Sequence, residues 1–250
     1  MLFMYLTVDI GNSRVKYGLY SGQCLLQVSY RSTGKVSERI TLPRGGRKIT
    51  KIGLASVVPQ ATRKVLQQLS SFPVQVIKPE DCLVPLLVSN PEKVGVDRVL
   101  NVKAAYSEAG KECLVVDIGT AVTVDVCSRK GEFIGGVILP GPSLWLKSLT
   151  STALLPPVRI QTRVKLPGKD TVQAIRAGLT YGLAGAIEKV VLSLLKKFSG
   201  STVFLTGGGA VLFQSCLSFP YVYRPHLSLE GIRQVLEETE SRYGKSFRRL

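Results

Sequence analysis

The chain has 250 residues, 45% of them hydrophobic, which is enough for one large domain or two ordinary ones and excludes wholesale disorder. The net charge of +16, from 33 basic and 17 acidic residues, suits a nucleic-acid binder, an enzyme with polyanionic substrates or simply a basic proteome. No helix-turn-helix or zinc-finger pattern accompanies the charge, so specific nucleic-acid binding is not expected.

The opening stretch, MLFMYLTVDI, is apolar but has no basic start and no small-residue cleavage site. It reads as a buried strand over residues 3–8 rather than a targeting segment. Residues 15–19 alternate as a second strand, Ser21 and Gly22 turn the chain, and residues 24–30 form a third, which makes a meander. A basic run follows, with Arg31, Lys35, Arg39, Arg44, Arg47, Lys48 and Lys51 against Glu38 alone. Residues 51–57 and 74–77 read as strands and 60–70 as a helix between them. Residues 97–107 carry Val99, Val102, Ala105 and Tyr106 at helical spacing.

The meander then returns. Val-Asp-Ile-Gly at 8–11 recurs at 116–119, an offset of 108 residues. Residues 113–116 lead into the second copy, 122–126 lead out, and SRKGE turns into a strand over 133–139. A helix runs to Leu149, and the prolines of LPPVRIQTRVKLPGKD make a loop. Asp170 caps a long helix expected from Thr171 to Phe198. Arg176, Glu188 and Lys189 break its apolar run, so it reads as a core or interface helix rather than a membrane span. Its small residues Ala174, Ala177, Gly178, Gly182, Gly185 and Ala186 permit close helix approach and point to a homodimer. A strand at 202–205, the TGGGA turn, and helices at 210–218 and 229–241 complete the chain. The expected architecture is α/β, with two related halves, 1–109 and 110–250, and a ligand cleft between them. Cysteines at 24, 82, 113, 127 and 216 form no C-x-x-C motif, which suits buried thiols in a reduced, cytoplasmic protein.

An Asp-x-Gly turn between antiparallel strands offers backbone N–H groups to phosphate, and its carboxylate can hold a bridging cation. Two such turns make a clamp for one triphosphate. Competing nucleotide motifs fail: a P-loop ending at Gly244-Lys245-Ser246 needs glycine at 239, where Thr239 stands, and a dinucleotide fingerprint from Gly207 needs glycine at 212, where Leu212 stands. The three glycines of LTGGGA would let a ring or phosphate approach the backbone. Phosphoryl transfer needs positioning, charge neutralisation and one carboxylate for the acceptor's proton. Asp9, Asp97, Asp117 and Asp125 are the candidates. Asp97 stands at a helix start behind Gly95, and Arg98 can hold an anion by two parallel bonds. The single histidine, His226, lies outside every motif.

In their order, DIGNSRVKYG, GVDR, DIGTAVTVD, GGVILPG, TSTALLPPV, TVQAIRAGLTYG and LTGGGA resemble the type III pantothenate kinases, from Asp9 to Ala210. That family belongs to the actin, hexokinase and heat-shock-70 superfamily, so the resemblance implies duplicated actin-like (ribonuclease H-like) domains. It implies ATP-dependent phosphorylation of pantothenate to 4′-phosphopantothenate, the entry step of coenzyme A synthesis. It implies that Asp9, Ile10, Gly11, Asn12, Ser13, Arg14, Val15 and Lys16 meet the ATP phosphates and Mg2+. Gly95, Val96, Asp97 and Arg98 would bind pantothenate, with Asp97 as proton acceptor and Thr171 as a second contact. Thr120 would contact ATP and Asp117 would hold a monovalent cation, K+ or NH4+. A homodimer with pantothenate near the subunit boundary is also implied. Val88 stands where many members have a tyrosine lining the pantothenate pocket. The rival reading is a non-catalytic relative serving as a transcription-accessory factor.

Overall fold

The computed structural model describes residues 4–36, 49–152, 155–161 and 164–246. Phe3, the basic residues Arg39, Arg44, Arg47 and Lys48, Ala153 and Leu154 of the TSTALLPPV motif, and the tail 247–250 lie outside the described residues. The chain divides into two compact units: residues 1–85, 89–104 and 227–250, and residues 86–88 with 105–226.

In the first unit, β1 (Met4–Ile10), β2 (Arg14–Ser21) and β3 (Cys24–Ser32) form the antiparallel meander. On the other side of β1, β4 (Lys51–Ser56) and β5 (Val74–Ile77) run parallel to it, in the order β3-β2-β1-β4-β5. Alternation along the strands sorts the two faces. Leu6, Val8, Ile10, Val15, Tyr17, Leu19, Ile52 and Leu54 form a core with Ala61 and Val65 of α1 (Pro59–Gln68) and with Leu69. α2 (Val96–Ala109) follows β5 in the chain after two short helical turns.

The opposite face of this sheet is closed by α7 (Leu227–Ser246), which comes from the far end of the sequence. Glycines make room for it: a Cβ on Gly53 would lie 2.6 Å from Ile232 Cγ2 and 3.1 Å from Leu236, and one on Gly18 would lie 3.1 Å from Leu229 Cδ1. Polar bonds fix its rotation. Tyr5 Oη donates to Glu240 at 2.6 Å, and Lys103 of α2 donates to Glu238 at 2.7 Å. Arg233 is buried over the Tyr20 ring and paired with Glu230 and Glu237. Burial alone would push this guanidinium's pKa down, but its bonds to the two carboxylates outweigh that and hold it up.

The second unit repeats the plan. β6 (Cys113–Ile118), β7 (Ala121–Cys127) and β8 (Phe133–Pro140) are the meander, and β9 (Thr202–Thr206) and β10 (Val222–Tyr223) continue beyond β6 in parallel. Read from the meander edge, β8-β7-β6-β9-β10 matches β3-β2-β1-β4-β5 strand for strand. α3 (Pro142–Thr152) and α6 (Ala210–Phe213) flank this sheet's core. The expected long helix is α4 (Thr171–Ala177) and α5 (Leu183–Lys197) joined by one wide, π-type turn over Gly178–Gly182. By length and composition, Thr171–Lys197 would suffice to cross a membrane. Its apolarity has a local cause, because Ile175, Leu179, Leu183, Ala184, Ile187 and Val191 build the sheet's core.

Three details differ from the sequence reading. α7 joins the first unit rather than the second half, because an apolar helix face does not encode which sheet it will cover. β10 is two residues long between Pro220 and Pro225, too short to show alternation. Of the expected buried thiols, Cys82, Cys113 and Cys127 are buried, but Cys24 is exposed on the edge strand β3. Burial pushes the Cys82 thiol up to about 12, and the bond with Cys127, then burial, raises that of Cys113.

Candidate active site

The first Asp-x-Gly turn leaves β1 at Ile10 and re-enters at Arg14. Gly11 N donates to Arg14 O at 3.0 Å and closes it. Thr33 braces it from behind, with its amide on Ser13 O at 3.1 Å and its hydroxyl on Gly11 O at 2.7 Å. Asn12, Ser13 and Arg14 are exposed. Ile10 and Val15 are wholly buried in the core, so only their backbone is available to a ligand.

Asp9 and Lys16 face each other across β1 and β2. Asp9 is buried, with Lys16 Nζ 3.2 Å from its Oδ2. The third member is Ser228, in the first turn of α7. Its hydroxyl donates to the same Oδ2 at 2.6 Å and lies 3.4 Å from Lys16 Nζ. No sequence motif marks Ser228, which is 219 positions from Asp9. Removing a carboxylate from water costs on the order of several kcal/mol. A hydrogen bond to a charged group returns only about 1.5–3 kcal/mol. One partner would leave the balance short, and Asp9 has two.

Gly95 immediately precedes α2, and Val96, Asp97 and Arg98 open that helix in the same unit. Val96 is buried, while Asp97 and Arg98 are half-buried. Asp97 Oδ1 accepts from Arg98 N at 2.9 Å. The carboxylate lies back over Gly95, where a Cβ would fall 2.5 Å from Oδ1 and 3.8 Å from Val57 Cγ1. Val57 N in turn donates to Ile10 O at 3.1 Å. The Asp97 turn and the Asp9 turn are thus brought to one edge of the sheet, where the parallel strands β1 and β4 end. In open α/β sheets, ligands bind outside the carboxyl ends of strands.

In the second unit, Asp117 is the penultimate residue of β6 and the turn is one residue shorter, only Gly119 and Thr120. Its register neighbours are Thr123 and Thr206, with no basic residue opposite. Of the three glycines expected to admit a ligand, Gly207 and Gly209 abut the chain itself. A Cβ on Gly207, where φ is +94°, would collide with Asp117 Oδ1, and one on Gly141 would collide with Gly119 and Thr120. Gly209 N donates to Ile118 O at 2.7 Å. Gly208 is exposed. Asp125 is buried in mid-sheet. Thr171 is exposed at the head of α4, and Asp170 caps that helix through Gln173 N at 2.8 Å. Val88 is half-buried beside Leu87, whose amide donates to Phe133 O at 2.9 Å. His226 is half-buried in the turn before α7.

Among the described residues, no three carboxylates, thiols or imidazoles cluster as a metal cage. A lone buried carboxylate beside exposed loop backbone fits magnesium, which keeps its waters and binds through one or two carboxylates plus substrate phosphates.

Two copies of one mixed sheet, each with an aspartate turn after its first strand, make a duplicated actin-like α/β fold. A ROK hexokinase from Thermus thermophilus matches at TM-score 0.52 and 15% identity, over 95% of this chain and 100% of that one. A Campylobacter jejuni protein described as a candidate Baf family transcriptional activator matches at TM-score 0.62 and 22% identity, over 94% and 99%. The type III pantothenate kinase family model matches residues 5–193. The type III pantothenate kinases of Frankia alni and Persephonella marina are 34% and 33% identical, covering 94% and 93% of this chain and 99% and 98% of their own. The chain belongs to the type III pantothenate kinase family and phosphorylates pantothenate.

The Gly95 contact has a measurable consequence. Gly95→Ala displaces the Asp97 carboxylate and is expected to lower kcat by about 10–10²-fold, the usual cost of a small misplacement of a positioned group. Steady-state rates beside thermal melts check this; an unchanged kcat in a folded variant would refute it.

Proposed function

We propose that ATP transfers its terminal phosphoryl group to the 4′-hydroxyl of pantothenate at the edge where Asp9 and Asp97 meet. The observation carrying this reading is the convergence of the buried Asp9–Lys16 pair and the Asp97 turn beyond the ends of β1 and β4. The backbone of Ile10, Gly11, Asn12, Ser13, Arg14 and Val15 meets the phosphates. Asp9 would hold magnesium, and Lys16 supplies positive charge to the phosphates. When bound there, magnesium would neutralise charge on the transferring group. Asp97 takes the proton as the acceptor oxygen bonds to phosphorus, and ADP leaves. Arg98 pairs with the pantothenate carboxylate, Gly95 and Val96 shape that pocket, and Thr171 adds a second contact. In the second unit, Thr120 contacts ATP and Asp117 holds the monovalent cation.

The asymmetry of the two turns supports this division. Lys16 opposite Asp9 suits a turn that meets phosphate, whereas Thr123 and Thr206 beside Asp117 suit a turn that holds a weakly charged ion with oxygen ligands. The intact Asp9, Lys16 and Asp97 leave the transcription-accessory reading disfavoured. A cytoplasmic setting fits the free cysteines.

Asp97→Asn keeps the shape and removes the charge. It is expected to lower kcat by about 10²–10⁴-fold, the range for a general base, with ATP binding retained. His226→Ala is expected to stay near the parent rate. An Asp97→Asn enzyme of nearly normal kcat would end the assignment. For the cation, activity in sodium or Tris alone is expected to be low and restored by K+ or NH4+, and Asp117→Asn is expected to lose that response; full activity without either ion would overturn it. The dimer reading rests on the solvent-facing Ala174, Gly178, Gly182 and Gly185 along α4 and α5. Sedimentation at micromolar protein is expected to show two chains, and a monomer alone would remove it.

A further inference from the structure

The Ser228 hydroxyl is almost fully buried in the first turn of a 20-residue helix. Burying a hydroxyl is unfavourable unless it is bonded. Among the described residues, its partners are Asp9 and Lys16. Alanine would fill nearly the same space without that cost, so the packing of α7 does not explain a serine here.

The bond directions follow from the groups. A lysine ammonium only donates, so the serine oxygen accepts from Lys16, and its single hydrogen goes to Asp9. The 2.6 Å separation is that of a short O–H···O⁻ bond. Ser228 and Lys16 thus hold the same oxygen, Oδ2, but they differ in stiffness. Lys16 reaches it on a four-carbon stem. Ser228 stands on a helix locked by Leu229, Ile232 and Leu236 against Gly18 and Gly53, and by Tyr5 and Lys103 through Glu240 and Glu238.

Chain topology offers a second, independent observation. α2 follows β5, the last strand of the first sheet plan, and α7 follows β10, the last strand of the second. Asp97 is the second residue of α2, and Ser228 is the second residue of α7. The duplicated fold therefore delivers a short polar side chain from the same helical position twice.

We infer that Ser228 is a positioning residue for Asp9: it holds Oδ2, so that the carboxylate keeps Oδ1 toward magnesium when the Lys16 ammonium turns to phosphate. This rests on the assignment of Asp9 to the magnesium side of the site.

The experiment uses the purified full chain. Calorimetry measures binding of a non-hydrolysable ATP analogue across a magnesium series, beside steady-state rates, for Ser228→Ala, Ser228→Thr and Asp9→Asn. Ser228→Ala is expected to raise the half-saturating magnesium concentration by about 10–10²-fold, the usual effect of losing a partner of a metal-side ligand. The KM for pantothenate is expected to hold, and Ser228→Thr to restore magnesium dependence to near the parent's. If the alanine variant does not fold, Ser228→Cys, of similar volume and a weak donor, gives the same reading. Parent-like magnesium dependence in Ser228→Ala or Ser228→Cys, with Asp9→Asn defective, overturns the inference. Parent-like dependence in Asp9→Asn overturns instead the assignment on which it rests.

Discussion

The arrangement of the first unit depends on one buried carboxylate. Asp9 lies one residue before the end of β1 with almost no access to water, and two donors hold its Oδ2. One donor is local, opposite it in the β1–β2 register. The other arrives on a helix encoded 219 positions later. The close fit of α7 to the sheet serves the same end. Gly18 and Gly53 let the helix sit near enough for a side chain as short as serine to reach the strand end.

The second unit solves the same geometric problem differently. Its turn is one residue shorter, and Thr123 falls opposite Asp117 where the first unit has Lys16. Glycine-rich backbone then closes over the turn, with Gly141 and Gly207 both packed too tightly for a side chain. A repeated Val-Asp-Ile-Gly run has become a charge pair in one copy and a backbone-walled carboxylate in the other. Sequence identity within the motif hides this divergence, because the difference lies in what stands across the hairpin.

Much of the fold was legible because it is local. Strand alternation, the Ser21-Gly22 turn and the Asp170 cap are read within a few residues, and the repeat revealed two equal sheets. The Asp9 and Asp97 turns could be singled out in the sequence, since each couples a carboxylate to a glycine and a basic residue. Three features were not legible. Ser228 carries no motif and acquires its role only by tertiary contact. Ile10 and Val15 sit within the first aspartate-turn run, yet alternation sends both side chains into the core. The glycines of LTGGGA looked like room for a ligand, whereas Gly207 and Gly209 are occupied by the neighbouring strand's own turn.

The placement of α7 also orders events at the ribosome. The strands of the first sheet leave the ribosome early, but the helix that covers one of their faces is translated only after all of the second unit. Domains generally fold as units, N-terminal first, during synthesis at about 5–20 residues per second. Here that rule cannot complete the first unit in turn. Its sheet must wait with Leu229, Ile232 and Leu236 still unmade, while the second unit has every strand it needs. The half that is made second can therefore finish first, and a helix made after both sheets supplies the serine that secures the first aspartate.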